Sequence, residues 1–122
     1  MKSVIAIVDD DKSVRDALAS LMNSLGYEAV PYSSGDEFME SAERGRTACL
    51  IADVNMPGMT GPQLHQRLIR SGERIPTIFV TAYPDDGVRT SAAQAGADCY
   101  LTKPFHEDEL LACVRSALKR ST

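Results

Sequence analysis

A doubly wound α/β domain is what this sequence predicts, and three observations carry it. Short runs rich in Val and Ile, such as VIAIV at 4–8 and TIFV at 77–80, alternate with stretches of helical periodicity. That is the pattern of a parallel sheet covered by helices on both faces. Right-handed crossovers then restrict the repeat to a doubly wound sheet with ligands at the carboxyl ends of its strands. The 122 residues, 43% hydrophobic and 25% charged, suffice for one ordinary core without structural metal or disulfides.

Five strand and helix pairs follow in order. The first strand is 4–8, and its helix carries Val14, Leu18, Leu21, Met22 and Leu25 at three-and-four spacing before stopping at Gly26. The second strand, 29–32, contains Pro31, which has no N–H for a ladder and so belongs at a sheet edge. A short helix over about 35–43 turns Phe38, Met39 and Ala42 inward. The third strand, 48–52, suits burial on both faces. Pro62 fits the first turn of the third helix, which buries Leu64, Leu68 and Ile69. The fourth strand is 77–80. Its helix, about 86–95, is rich in Ala and Ser, ends at Gly96 and has the fewest large anchors, so it is expected to be the most mobile of the five. The fifth strand is 98–101, and the last helix uses Leu110, Leu111, Val114 and Leu118.

No apolar run approaches the roughly 20 residues of a bilayer span, and Met1-Lys2-Ser3 leads into a strand rather than a signal-peptide core. A cytoplasmic protein without membrane association is expected, with residues 1–122 forming a single domain and no effector domain. Cys49, Cys99 and Cys113 are odd in number, lack C-x-x-C spacing and sit in apolar segments, so all three are read as reduced core residues. A net charge of -4 without a basic stretch argues against direct nucleic-acid binding.

The functional candidates are the residues just after the strands: Asp9, Asp10, Asp53, Thr81 and Lys103. Taken alone each has an ordinary explanation. Acids such as Asp9-Asp10-Asp11 suit a helix start, and Asp11 is read as a cap or first-turn acid. A Thr can end a strand, and a Lys beside Pro can be solvated surface. Asp53 is different, because Val54-Asn55-Met56-Pro57-Gly58 gives it no obvious helix to cap. On parallel neighbouring strands the three acids meet at one rim, where repulsion is relieved by a hard cation such as magnesium. His65 and His106 are read as solvent-facing rather than as ligands. A carboxylate nucleophile, a divalent ion, a hydroxyl and a fixed ammonium are the parts that hold a phosphoryl group on an aspartate.

The segments Val8-Asp9-Asp10-Asp11, Asp53-Val54-Asn55-Met56-Pro57-Gly58-Met59-Thr60-Gly61, Val80-Thr81-Ala82 and Lys103-Pro104-Phe105 resemble, in order and over essentially the whole chain, the signatures of the response-regulator receiver domain of two-component signalling. Their local flavour is similar to receivers of the nitrogen-fixation regulator type. The resemblance implies a flavodoxin-like sheet in the order 2-1-3-4-5 and a cis peptide before Pro104. It implies Asp53 as phosphoacceptor, with Thr81 and Lys103 bonding phosphoryl oxygens and Ala82 leaving access. It also implies Mg2+ or Mn2+ held by Asp10, Asp53 and the backbone carbonyl of Asn55, with Asp9 acting through water. Thr81 and Tyr100 would be the switch residues, and Tyr83 would influence dephosphorylation.

The implied partners are a histidine kinase or histidine phosphotransfer protein and an unknown downstream protein, reached through helix four, strand five and helix five, as a monomer or a phosphorylation-dependent dimer. Such a domain is no enzyme, although it contributes catalytic groups to its own phosphorylation and dephosphorylation. Two alternatives stand beside this: a receiver excised from a DNA-binding transcriptional regulator, and an aspartyl-nucleophile phosphatase. The phosphatase signature would need a second Asp two residues after Asp53, where Asn55 stands.

Overall fold

A computed structural model describes residues 2–120. Along the chain run β1 (Val4–Val8), α1 (Lys12–Ser24), β2 (Glu28–Tyr32), α2 (Gly35–Glu40), a 3-10 turn (Arg44–Arg46), β3 (Thr47–Asp53), α3 (Gly61–Arg70), β4 (Thr77–Thr81), α4 (Asp86–Gln94), β5 (Cys99–Thr102) and α5 (Glu107–Arg120). The strands form one parallel sheet in the order β2-β1-β3-β4-β5. Fold class, strand order and helix number are those expected, and Pro31 lies on the edge strand β2. The chain turns from the β1/β2 half to the β3/β4/β5 half between β1 and β3, the switch point where α/β sheets place their ligands.

Each face of the sheet has its own core. On one, Ile5, Ile7, Ile51, Ile78 and Val80 pack against Leu18 and Met22 of α1 and Leu110, Val114 and Ala117 of α5. On the other, Ala6, Val8, Leu50, Ala52 and Phe79 pack against Phe38 of α2, Leu64 and Leu68 of α3 and Ala92 of α4. Side-chain alternation along a strand produces this division, and burial of both faces explains why β1 and β4 have no polar face.

Helix ends follow their residues. Asp11 caps α1 by accepting from Ser13 and Val14 N–H, as expected of it. Thr60 and Gln63 form a reciprocal capping box on α3, with Pro62 in the first turn. Gly26 and Gly96 take the left-handed conformation after α1 and α4.

Several inward assignments need correction. Helix α2 ends at Glu40 rather than near 43, so Ala42 is exposed in the turn that follows. Leu25 lies beyond the last full turn of α1 and is 41% exposed, and Ile69 is 45% exposed. His65 takes the buried place instead, its ring edge-on to Phe79 at 5.6 Å, because positions 61, 64, 65 and 68 share the inward stripe of α3. His106 is exposed, as read. The cysteines are not three separate thiols. Cys99 on β5 and Cys113 on α5 are joined in a disulfide, since both belong to the core on the α5 side of the sheet, whereas Cys49 is free and buried.

Candidate functional site

Strand register assembles the site. Val8 pairs with Ala52, so the next residues, Asp9 and Asp53, come side by side at the carboxyl rim. Asp53 pairs with Val80 and Thr81 with Thr102, which brings Thr81 and then Lys103 to the same rim. Lys103 Nζ donates to Asp9 Oδ2 at 3.3 Å and to Asp53 Oδ2 at 3.4 Å, closing a bridge between residues 94 and 50 positions away in sequence.

The other contacts fix each group. Asp9 is 1% exposed and accepts from Asp11 N–H at 2.9 Å, while its own carbonyl accepts from the Arg15 guanidinium at 2.7 Å. Asp53 is 8% exposed and accepts from Asn55 N–H at 3.0 Å. Thr81 is fully buried, and its hydroxyl oxygen accepts from the Asn55 side-chain amide at 2.9 Å and from Tyr83 N–H at 3.0 Å. Asp10 and Ala82 are exposed. The loop from Val54 to Gly61 is closed by Gly61 N–H on the Val54 carbonyl. A Cβ at Gly61 would collide with the Asp53 carbonyl oxygen and touch Phe79, so only glycine lets α3 start here.

One carboxylate oxygen from each of Asp9, Asp10 and Asp53 lies within 4.8 Å of the others. Burial, opposed by the Asp11 N–H and reinforced by the charge on Asp53, holds the Asp9 carboxyl above its ordinary range, with Lys103 acting in the other direction. Burial disfavours the Lys103 ammonium, but Asp9 and Asp53 together outweigh it and hold the lysine above its usual value. The Asp9 shift is chiefly one of burial, whereas that of Lys103 reflects the acids around it. Three carboxylates face one ammonium, an excess of two negative charges when all are ionised. An all-oxygen set with that deficit fits a hard divalent ion.

Tyr100 lies half-buried against the α4 side of the core, with the Arg89 guanidinium 4.8 Å above its ring. Its hydroxyl accepts from Asp85 N–H at 3.4 Å, at the start of α4. It is therefore not a ring with its hydroxyl only in water, and it ties β5 to the helix with the fewest anchors, since α4 buries Ala92 alone.

Sequence reading missed three parts of this geometry. The Asn55 amide on Thr81 depends on the course of the 54–60 loop, and the Cys99–Cys113 bond depends on the rotation of α5 over β5; neither leaves a local signal. Arg15, one turn into α1 on the side of Asp9, was open to inspection as a cation four residues after Asp11.

A family model described as the response regulator receiver domain matches residues 5–115. The chain belongs to this receiver family. Over 117 residues it is 44% identical to the response regulator protein TodT of Pseudomonas putida, an alignment covering 96% of this chain and 52% of TodT. It is 30% identical to the transcriptional regulatory protein FixJ of Bradyrhizobium diazoefficiens, covering 98% of this receiver and 58% of FixJ. A crystal structure of a response regulator receiver protein from Burkholderia phymatum superposes with a TM-score of 0.83 at 41% identity, covering 97% of this chain and 96% of that one. The chain spans about half the length of the first curated relatives it matches. Among the described residues no helix is long and apolar enough to cross a membrane.

Proposed function

We propose that this receiver is a phosphoacceptor switch of a two-component phosphorelay, with Asp53 as the phosphorylated residue. The observation that carries the reading is the bridge of Lys103 to Asp53 and Asp9 within the acidic rim. A carboxylate oxygen of Asp53 forms the new P–O bond as the P–N bond to a phosphohistidine breaks, the donor being a histidine kinase or histidine phosphotransfer protein. Lys103 neutralises charge on the transferring oxygens. Thr81 already uses its hydroxyl oxygen as an acceptor and keeps its O–H to donate to a phosphoryl oxygen.

Asp10, Asp53 and the Asn55 carbonyl would hold Mg2+ or Mn2+, with Asp9 acting through a metal-bound water because Lys103 and Asp11 N–H already occupy its oxygens. The ion, when bound, supplies charge neutralisation at the reacting oxygens. The domain thus contributes groups to its own phosphorylation and dephosphorylation without turning over a free substrate. Output is read on the face of α4, β5 and α5, where Thr81 and Tyr100 form the switch and a downstream protein or a second phosphorylated copy docks.

Within 1–122 the proposal is a single receiver domain with no effector domain. FixJ bears the name of a transcriptional regulatory protein and is longer than this chain, which favours transcription as the final output, executed by another segment or polypeptide. The test is incubation with a small phosphodonor and magnesium. One phosphoryl group should be incorporated, and Asp53→Asn should abolish it; full labelling of that variant, mapped to another residue, would overturn the assignment.

A further inference from the structure

The bond between Cys99 and Cys113 lies outside the phosphoryl chemistry, yet it closes a loop that contains one of its proposed groups, Lys103. The two cysteines are 14 residues apart, and the chain between them carries Tyr100, Lys103 and Phe105. Cys99 sits on the edge strand β5 and is half-buried, while Cys113 is 9% exposed on the inner face of α5. Cys49 does not compete: it is fully buried, and burial pushes its thiol up to about 12. Reduction leaves α5 anchored, because Leu110, Val114 and Ala117 remain packed on Ile51, Ile78 and Val80. It releases only the covalent tie between β5 and the middle of that helix.

We propose that Cys99 and Cys113 are a reversible thiol–disulfide switch that sets how far β5, the Lys103 loop and α5 can follow events at Asp53. The co-reactant is a low-molecular-weight disulfide. The Cys99 thiolate attacks one of its sulfurs, forming a mixed disulfide and releasing one thiol; the Cys113 thiolate then attacks the Cys99 sulfur, closing the protein disulfide and releasing the second thiol. The two protein thiols lose two electrons and two protons, and the small disulfide takes them up. Excess small thiol runs the same steps backwards. In the oxidised form the closed loop removes chain entropy from any opened arrangement of 99–113, so that segment is stiff; in the reduced form it yields.

The coupling to phosphorylation rests on the reading of Asp53 above, whereas the redox chemistry does not. The full chain is equilibrated with glutathione at graded ratios of thiol to disulfide, quenched, and its thiols counted by alkylation and mass. Cys99 and Cys113 should interconvert together, with a mass difference of two hydrogens, while Cys49 stays unlabelled in the folded protein. Cys99→Ser and Cys113→Ala should each show no such transition. A pair that stays in one state at every ratio would overturn the switch.

Hydrogen exchange is then followed in both forms, with and without beryllofluoride and magnesium. Opening of 99–113 should be slower in the oxidised form by about a hundredfold, the effect expected from closing a loop of this length, and the change on adding the mimic should be larger in the reduced form. Equal exchange in the two unliganded forms would overturn the stiffening, and an equal response to the mimic would overturn the coupling. If the mimic binds neither form, the assignment of Asp53 fails, while the interconversion and the unliganded exchange still decide the switch.

Discussion

β3 and β5 deliver residues to the same rim from opposite mechanical situations. β3 lies between β1 and β4 and is buried from Cys49 to Asp53; β5 is an edge strand, half-buried at each of its four residues. The helices repeat the contrast: α3 buries Gly61, Leu64, His65 and Leu68, whereas α4 buries Ala92 alone. Asp53, the proposed phosphoacceptor, therefore stands on the part of the molecule with the most buried anchors, and Lys103 and Tyr100 stand on the part with the fewest.

The comparison can be broken by truncating one leucine on each strand. Leu50→Ala, at a fully buried position of β3, should cost about 4 kcal/mol, whereas Leu101→Ala, half-buried on β5, should cost less than about 2 kcal/mol. Urea unfolding of both variants measures this, and equal losses would show the edge half to be as tightly held as the centre.

A smaller effect concerns the charge that joins the halves. Magnesium should stabilise the fold by about 1.4 kcal/mol at ten times its dissociation constant. Asp10→Asn should remove most of that gain and leave the chelated protein at least as stable as the parent, because it relieves repulsion in the acidic rim. Thermal melts with chelator and with magnesium decide it; a midpoint that ignores saturating magnesium would mean the carboxylates do not act as one cation site.

The smallest effect tests the rigid half alone. Burial, opposed by the charge on Asp98, holds the His65 imidazole below its ordinary value. A histidine depressed in the folded state binds its proton more readily when unfolded, so its contribution is intact above the unfolded value near 6.5 and is lost as pH falls through the lowered folded value. His65→Gln should flatten stability against pH in that window. An unchanged slope in denaturant titrations across the window would show that this ring does not couple burial to protonation.

The elements most visible in the sequence were those whose burial is two-sided. β1 matches its expected limits of 4–8, and the acids after β1 and β3 were found because nothing local explained Asp53. The burial of His65 is masked by its polarity, although Leu64 and Leu68 define the stripe it shares. Ile69 is the converse case, an apolar side chain off that stripe and exposed. The Asn55 amide and the joined cysteines are tertiary facts: one depends on how a loop returns to β4, the other on how two elements bring together cysteines 14 residues apart.

Gly61 has a bearing on how this molecule would look to a mutational survey. It forms no bond through a side chain, faces no solvent and is not part of the acidic rim, yet any larger residue must push either the first turn of α3 or the main chain of Asp53. If Asp53 and Lys103 act as proposed, a scan scored by signalling output would group position 61 with them, as though it touched the same chemistry. Distinguishing the two classes requires a second score for stability, on which Asp53→Asn is tolerated and Gly61→Ala is not.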